Sequence, residues 1–525
     1  MTNGALLSYL SRRTLFGQGG KWQFGDVFSD SRVFVAVMNK KHVDLVLLSS
    51  YYCLGGSFPQ SSTAFQAGFR VLIDFFVSNF RSYKGEQGLN MVANGRIQSH
   101  TSHLLPIAGQ DKHALKTAVI YGANASGKSN LVLAMDLARD FVLLGSKVAK
   151  RLGQNQFGRS GSDPSQFQFL FQAEGYLFDY GFEIKGETIV SEWLTVESSL
   201  KTKSEISIFK RELNEVSIGK FSRLADYEMS SGVLETLISL GIKPNQLFLN
   251  HVLESTSRDK RGEVLNAALS WFLYGLNVIL PRASHGSLIS LIDNEEGFRA
   301  WAAEFLASAS TGITEMRVDQ TKIDAEDLPS EMVKLLQDGA NIASDGIEFG
   351  LDDSDSSIVV RRNLKMIHST DESEFELPAS EESDGTRRLL ELLPALYQFG
   401  ISKNEYDGDS TFVIDELDRS LHPVLSHAFL KFFLETNHEK SHQLIVTTHE
   451  THLLDSDLLR RDEVWFVEKD KTQQSRVYSL LDFKIRKDLR LEKGYLQGRF
   501  GGIPFVGNMD KLRGLLHHGE TETEN

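Results

Sequence analysis

The sequence contains a single cysteine, Cys53, among 525 residues. One cysteine cannot form an intramolecular disulfide, and it also excludes a zinc site built from several cysteines. A chain so poor in cysteine is typical of the reducing cytosol.

The sequence also lacks a hydrophobic run long enough to cross a bilayer, which requires about 18–20 consecutive apolar residues. The most apolar stretch, residues 33–49, is interrupted by two lysines and an aspartate. The N-terminus does not resemble a signal peptide, because polar, glycine-rich sequence follows Arg12 and Arg13. We therefore predict a soluble, cytoplasmic protein with no membrane partner.

Basic residues are the minority, with 56 Lys and Arg against 70 Asp and Glu and a net charge of −14. This balance argues against coating nucleic acid through bulk charge, although a local basic patch could still bind it. Hydrophobic residues make up 41% and charged residues 24%, which is ordinary for a globular protein and excludes a largely disordered chain. The length suggests about three domain equivalents, enough for one large α/β core with an inserted domain.

The first 70 residues differ from the rest, since they hold 11 aromatic but only 10 charged residues and no sustained period. Our hypothesis is that the natural chain starts near Val71, and a genuine N-terminal subdomain is the alternative. The remaining predicted parts are an N-terminal half of a nucleotide-binding head (71–200), a mainly helical insert with an acidic loop (201–375), the C-terminal half of the head (376–483), and a basic stretch with an acidic tail (484–525).

Strands and helices alternate outside that first segment. Residues 71–80 and 117–121 are apolar strands, and 130–144 has the apolar spacing of a helix. Residues 166–198 alternate apolar and polar side chains, which predicts antiparallel strands. The insert is predicted to contain helices at 233–240, 264–276, 298–306 and 331–336. The acidic, serine-rich stretch 351–384 is predicted to be a loop that is interrupted by one strand-like piece at 358–362.

Residues 122–129, with the sequence GANASGKS, match the phosphate-loop pattern G-x-x-x-x-G-K-[ST] between a predicted strand and a predicted helix. Glycines let the backbone wrap a phosphate, and successive N–H groups at the helix N-terminus attract the anion. Lys128 would reach the β- and γ-phosphates, and Ser129 would ligate Mg²⁺. The predicted ATP-binding residues here are Gly122, Ala123, Asn124, Ala125, Ser126, Gly127, Lys128, Ser129 and Asn130.

The apolar strand 411–414 ends in two acids, Asp415 and Glu416. In a parallel sheet its carboxyl end would lie beside the phosphate loop. Asp415 is predicted to join Ser129 at the Mg²⁺ ion, and Glu416 to orient or deprotonate the attacking water.

Two further segments could also reach a γ-phosphate. The apolar strand at 443–448 is followed by His449, and Ser383-x-Gly385 opens a helix at 387–399, where the helix N-terminus would attract an anion. Taken alone, a histidine is more often structural and a Ser-x-Gly more often a plain helix cap.

Together these motifs resemble ABC-type ATPases of the SMC and DNA-repair kind, and more closely the AAA-annotated bacterial ATPases of abortive-infection and other anti-phage systems. The residues that carry the resemblance are those at 77–82, 122–129, 382–390, 414–423, 447–450 and 492–495. The resemblance covers about 71–505, thinly through 200–340. It implies an α/β P-loop NTPase head of the ABC type, with a mixed central sheet and flanking helices.

The resemblance further implies that ATP is hydrolysed when two heads of a homodimer or larger homo-oligomer face each other. Ser383 and Gly385 of one head would close on the γ-phosphate held by Lys128 of the other. Residues 420–423 would connect the two sites, and His449 would be the switch histidine. Arg81 would lie near the nucleotide by the same resemblance.

The sequence departs from the ABC pattern in two places. Only the Ser-x-Gly core of the usual Leu-Ser-Gly-Gly-Gln signature is present, and Gln156 is a weak candidate for the glutamine that senses Mg²⁺. A nuclease site at Asp455 and Asp457 is not favoured, because too little sequence follows for a toprim domain. The basic stretch from Lys484 to Arg499 could meet a partner or a phosphate backbone, but the sequence favours a solvated helical face.

The leading hypothesis is therefore a regulatory ATPase of a bacterial anti-phage system, acting with ATP, Mg²⁺ and a separate effector protein. One alternative is an SMC-like ATPase of DNA repair or chromosome maintenance, which would need long coiled-coil arms that the insert does not predict. The other is a nucleotide-gated scaffold with little turnover, a reading that the presence of Glu416 does not favour.

Overall fold

A computed structural model describes strands between residues 15 and 47 and most of the chain from 70 to 503. Within the latter range it leaves out 146–147, 149–162, 198–204, 223, 225–226, 282–285, 338–341, 345, 353, 370–371, 402–408, 438–439 and 486–489. The candidate Gln156 and part of the basic stretch therefore lie outside the described residues. In the N-terminal segment the described strands are β1 Leu15–Gly17, β2 Gly20–Phe24, β3 Phe34–Asn39 and β4 His42–Leu47, which pair in that order as an antiparallel sheet.

The N-terminal part of the head contains a large antiparallel sheet and the phosphate-loop strand. Its strands are β5 Val71–Ser78, β6 Gln87–Asn90, β7 Leu104–Pro106, β8 His113–Leu115, β9 Thr117–Tyr121, β10 Ser165–Ala173, β11 Tyr176–Lys185, β12 Thr188–Glu197, β13 Glu205–Glu212 and β14 Glu215–Ile218, and its helix is α1 Lys128–Leu144. The large sheet has the order β14-β13-β12-β11-β10-β5-β6. The predicted strands at 71–80, 117–121 and 166–198 and the helix at 130–144 are thus present, and the sheet continues past residue 200.

The middle of the chain contains both helices and a third sheet. Its elements are α2 Tyr227–Leu240, α3 Phe248–Ser255, α4 Glu263–Ser270, a π-helical turn Trp271–Gly275, β15 Leu276–Ile279, α5 Gly286–Asn294, α6 Glu296–Ser308, β16 Ile313–Asp324, α7 Ser330–Gln337, β17 Ile342–Ser344, β18 Ile347–Leu351, β19 Ile358–Ser369 and β20 Glu374–Pro378. The helix predicted at 264–276 ends early, because its last residue opens β15, which pairs in parallel with the strand at 411–414.

The expectation of a mainly helical insert ending in an acidic loop needs correction. Apart from β15, the elements described in 227–308 are helices, but 313–378 folds largely into the antiparallel sheet β16-β19-β18-β17, with β20 also paired to β19. Much of the stretch predicted as a loop is therefore strand. Its outward side chains are charged and pair across strands, as Lys365 does with Asp319 and Glu376 at 2.6 and 3.0 Å. Leu364 and Met366 are buried and pack on the insert helices. The charged residues between and around them obscure this apolar pattern in the sequence.

The C-terminal part completes the central sheet. Its elements are α8 Asp384–Ile401, β21 Thr411–Ile414, α9 Pro423–Thr436, β22 Gln443–Thr447, β23 Val464–Lys469, β24 Ser475–Ser479 and α10 Leu491–Leu496. The central sheet has the order β15-β21-β22-β9-β23-β24, and all neighbours pair in parallel except β23 and β24. The predicted α/β class with a mixed central sheet is confirmed.

Two hydrophobic clusters cover the two faces of the central sheet. One fills the space toward the large sheet and α1 and includes the predicted inward face Leu131, Met135, Ala138 and Val142. The other packs α8 and α9 against the opposite face, around Phe399 and Phe433. Among the described residues, no helix combines the length and the apolar character that a bilayer crossing requires.

The buried side chain of Gln443 joins the large sheet to the central sheet. Its Nε2 donates to the carbonyl oxygens of Leu72 and Leu115 at 3.0 and 2.8 Å, and its Oε1 accepts from the Leu72 N–H at 2.6 Å and the Thr411 hydroxyl at 2.8 Å. These residues are buried, so the amide supplies hydrogen bonds where buried polar groups need a partner.

Replacing Gln443 with leucine should lower the free energy of unfolding by about 2–3 kcal/mol, because a buried N–H and buried acceptors lose their partner at nearly constant side-chain volume. Urea denaturation followed by circular dichroism measures the change. The exposed Gln98, whose side chain donates to the Gly95 carbonyl, provides the matched control Gln98→Leu. Equal stability of the two variants would contradict the bridging role.

Candidate nucleotide-binding site

The phosphate loop opens into a cavity of about 500 Å³ at the carboxyl edge of the central sheet. Four separate segments of the chain line this cavity. The lining residues are Asn124, Ala125, Ser126, Gly127, Lys128, Ser129, Asn130, Glu416, Asp418, Arg419, His449 and Lys469. The strand order explains why these segments lie together. Strands β9, β22 and β21 are parallel neighbours, so the loops that follow them leave the sheet at one edge.

The two glycines of the loop occupy positions that no larger residue fits. A Cβ on Gly122 would lie 2.3 Å from the Val467 carbonyl oxygen, and one on Gly127 would lie 2.2 Å from the Ser475 hydroxyl. Gly127 also has φ +116°, a conformation that L-residues rarely adopt. The loop thus forms a narrow cradle whose backbone approaches its neighbours closely, which fits the binding of a phosphate chain.

Residues from two other segments, 81–83 and β24, hydrogen-bond to the phosphate loop and stabilise its conformation. The Tyr83 hydroxyl donates to the Gly127 carbonyl at 2.9 Å, and the Ser475 hydroxyl donates to the Ser126 carbonyl at 2.6 Å. Arg81 donates to the Asn130 side-chain oxygen at 3.4 Å. Arg81 therefore contacts the end of the phosphate loop but does not line the cavity, so its predicted place near the nucleotide stays a prediction.

The Lys128 ammonium is folded back onto its own loop. Its Nζ donates to the carbonyl oxygens of Gly122 and Ala123 at 2.8 and 3.3 Å and lies 3.1 Å from His449 Nε2. Burial lowers the pKa of Lys128 from 10.5 to about 8, against the opposing influence of the nearby acids. A phosphate in the cradle would offer this half-desolvated cation a stronger partner than neutral carbonyls.

Thr447 fixes the two acids that follow β21. Its hydroxyl donates to Asp415 Oδ1 at 2.5 Å and accepts from the Glu416 N–H at 2.8 Å. Asp415 is 2% exposed and stands behind the cavity wall, whereas Glu416 lines the cavity. Glu416 has φ +50°, an uncommon left-handed conformation for this residue type.

His449 is held between a cation and an acid. Its backbone N–H donates to both carboxylate oxygens of Asp418 at 3.2 Å, while its Nε2 faces Lys128. Burial, and after it the Lys128 charge, lower the pKa of His449 below the usual 6.5. A neutral ring that accepts from the Lys128 ammonium therefore fits this arrangement at neutral pH.

The structure does not bring the Ser-x-Gly segment into the same cavity. The Ser383 hydroxyl accepts from the Thr386 N–H at 3.1 Å and so caps the start of α8, and Gly385 packs against the Ser420 carbonyl. Neither residue lines the cavity of its own chain. Gly385 instead contacts the acidic turn, which we define as residues 415–420, directly after β21.

Sequence reasoning left three cavity residues without a role. Asp418 and Arg419 lie within 414–423, one of the segments that carry the family resemblance. Their positions two and three residues after Glu416 could have indicated that they line the same site. Lys469 ends β23 on the far side of β9, and no sequence motif marks it. Its place beside the phosphate loop follows from strand pairing alone.

A protein-family profile described as "AAA domain, putative AbiEii toxin, Type IV TA system" matches residues 118–230 and 282–455, together more than half of the chain. The match includes the phosphate loop, the acidic turn and His449. With the strand order of the central sheet, it confirms the predicted P-loop NTPase head of the ABC type. No curated protein shows significant sequence similarity to the chain.

Several solved structures are similar to the chain. The SMC head domain from Thermotoga maritima is 12% identical, with a TM-score of 0.33 over 79% of this chain and 99% of that one. An Smc head bound to the C-terminal winged-helix domain of ScpA is 14% identical, with a TM-score of 0.35 over 81% and 99%. An Smc head with an extended coiled coil, bound to the C-terminal domain of ScpA from Pyrococcus furiosus, is 13% identical, with a TM-score of 0.34 over 82% and 99%.

The lowered pKa of Lys128 predicts how nucleotide affinity depends on pH. The charged ammonium prevails below about 8 and is lost above it, so ATP affinity should be level up to pH 7.5 and fall about tenfold by pH 9. Titration of a fluorescent ATP analogue at each pH measures this. In Lys128→Arg the guanidinium stays charged, so its affinity, whatever its value, should not change with pH. A decline of equal slope in both proteins would contradict the assignment.

Replacing Gly127 with alanine should weaken ATP binding by about tenfold or more, because the new Cβ meets the Ser475 hydroxyl and φ +116° is unfavourable for alanine. Isothermal titration calorimetry measures the loss. Gly85→Ala is the control, since a Cβ there has no atom within 4 Å. Unchanged affinity in Gly127→Ala would show that the loop can relax without harm to binding.

Proposed function

Because the chain belongs to the AAA-domain family named after the AbiEii toxin of type IV toxin–antitoxin systems, we propose that it binds ATP with Mg²⁺ and hydrolyses it to ADP and phosphate. The observation that carries this proposal is the cavity itself, in which Lys128 of the phosphate loop, Glu416 and His449 meet from three separate segments. A phosphate-binding cation and a carboxylate at one edge of a parallel sheet are the groups that phosphoryl transfer to water requires.

In the proposed complex the chain's own groups divide the work of binding. Backbone N–H groups at the start of α1 surround the β- and γ-phosphates, and Lys128 exchanges the carbonyls of Gly122 and Ala123 for phosphate oxygens. Ser129 and Asp415 would hold Mg²⁺, a hard cation that prefers such oxygen ligands and neutralises phosphate charge. The buried Asp415 needs the Thr447 hydroxyl to stay aligned.

Glu416 is the proposed catalytic base. Glu416 lines the same cavity as the phosphate loop, where it can orient a water molecule and accept its proton. The neutral His449 lies beside Lys128, so it is placed to contact the γ-phosphate when the ammonium turns toward that group. Asp418 holds His449 in this place through the backbone N–H.

We further propose that a second copy of the chain completes the site. Ser383 and Gly385 lie at a helix N-terminus that attracts anions, yet they do not line their own cavity. A facing head would bring them to the γ-phosphate, in a homodimer or a higher homo-oligomer. The segment 420–423 lies next to Gly385 and would connect the two sites.

The proposed biological role is regulation of an anti-phage, abortive-infection system in which ATP binding or hydrolysis controls a separate effector. The toxin–antitoxin name of the family supports this setting. The SMC-like alternative requires long coiled-coil arms, whereas the longest helix described between 201 and 375 is the 14-residue α2, about 21 Å in length. The observations therefore favour the compact regulatory ATPase over the chromosomal one.

The decisive experiment measures ATP hydrolysis by wild type and Glu416→Gln across a protein concentration series, with the mass followed by light scattering. Wild-type turnover per chain should rise with concentration, because the complete site needs two chains. Glu416→Gln should bind ATP, lose about a hundredfold or more of the turnover, and accumulate as a dimer with ATP and Mg²⁺.

Lys128→Ala is the control that should neither bind ATP nor dimerise. Turnover in Glu416→Gln equal to that of wild type would refute the role of the base. A mutant that stays monomeric with ATP and Mg²⁺ would refute the two-head site. Tight binding without any wild-type turnover would favour the nucleotide-gated scaffold instead.

A further inference from the structure

Arg388 lies one helical turn beyond the Ser-x-Gly segment and is buried against the acidic turn, with 3% of its surface exposed. Its NH2 group donates to the carbonyl oxygens of Asp415 and Glu416 at 2.8 and 2.9 Å. Its NH1 group donates to Glu391 at 2.6 Å, which anchors the guanidinium to its own helix. One side chain of α8 thus reaches the backbone of both acids.

The backbone at Glu416 needs such support. Its φ of +50° is uncommon for a residue with a side chain, and conformations of this kind persist only when the surroundings hold them. Thr447 binds the Glu416 N–H from the β22 side, and Arg388 binds the Glu416 carbonyl from the α8 side. The peptide groups on both sides of the Glu416 Cα are therefore fixed by different elements.

The N-terminus of α8 touches the same turn directly. A Cβ on Gly385 would lie 2.9 Å from the Ser420 carbonyl oxygen, so the helix end and the segment after Glu416 are in close contact. A displacement of this helix end would move Arg388 with it, because Arg388 is only three residues further along the helix.

We propose that Arg388 is a positioning residue that holds Glu416 in its productive orientation and couples the Ser-x-Gly end of α8 to it. The inference rests on the proposed function, in which Glu416 is the base. Engagement of one head's α8 by the partner's nucleotide would then act on the same chain's Glu416 through Arg388. The buried guanidinium of Arg388 thereby couples the binding of a second head to the orientation of Glu416.

The chemistry requires arginine at this position. A guanidinium presents several N–H donors in a fixed planar fork, so it can bind two carbonyls and a carboxylate at once. A lysine ammonium carries the charge on a single atom and cannot span these three acceptors from the same backbone position. Arg388→Lys therefore keeps the charge and loses the fixed orientation.

The first test compares Arg388→Lys with the neighbouring control Arg387→Lys, whose side chain is more exposed and pairs with Asp384 on the helix surface. Arg388→Lys should reduce kcat by about tenfold to a hundredfold, the size expected for a misplaced catalytic group. The Kd for ATP, measured by calorimetry, should stay within about twofold of wild type. Arg387→Lys should change neither quantity.

The second test separates positioning from a merely structural effect. If Arg388 acts through Glu416, adding Arg388→Lys to Glu416→Gln should reduce the residual turnover no further. Glu391→Gln, which weakens the anchor but leaves Arg388 in place, should give a smaller kcat loss with unchanged Kd. It keeps the proposal testable if Arg388→Lys unfolds, which thermal denaturation reports.

The outcomes distinguish a failure of the Arg388 proposal from a failure of the proposed ATPase function. Wild-type turnover in Glu416→Gln would overturn the proposed function. Loss of turnover in Glu416→Gln, together with unchanged kcat in both Arg388→Lys and Glu391→Gln, would overturn only the inference. Additive losses in the double variant, or a large rise in the ATP Kd of Arg388→Lys, would also overturn it.

Discussion

The parallel pairing of β9, β22 and β21 is the constraint on which the rest of the molecule depends. In this register Val446 lies beside Val119 on one strand and beside Ile414 on the other, so the three strands end at one level. The phosphate loop, the acidic turn and His449 each follow one of these strands directly. Residues more than 280 positions apart therefore share a cavity without any long loop reaching across the molecule.

Charged side chains lie close together at this edge, next to two residues with unusual backbone conformations. Gly127 and Glu416 both have positive φ, and two lysines, an arginine, two carboxylates and a histidine line the cavity. Such an arrangement is costly unless its polar groups are satisfied. Thr447 and Arg388 supply hydrogen bonds to the two acids, and Asp418 accepts one from His449, while Lys128 donates to the loop's own carbonyls. Residues outside the phosphate loop thus fix the positions of the site's side chains, and they need not contact the nucleotide to do so.

The sequence predicted well those features that depend on local pattern. The glycines and Lys128 of residues 122–129 identified the phosphate loop, and the apolar run before Asp415 identified its strand. The insert was predicted less well. Strands β16 and β19 carry charged side chains on one face, and their ion pairs, such as Lys365 with Asp319, form only when the strands are already side by side. A pattern interrupted by charge therefore suggested a loop where the chain forms a sheet.

By itself the sequence determined which residue types are available to the candidate site, because the phosphate loop, the paired acids and the histidine are defined by residue type and spacing. It also determined the α/β class, through alternating apolar strands and amphipathic helices. Only the tertiary structure decided that Lys469 would line the cavity and that Arg388 would bind the backbone of Asp415 and Glu416. These contacts join residues through strand order and helix packing, and such long-range geometry leaves no periodic signal in the chain.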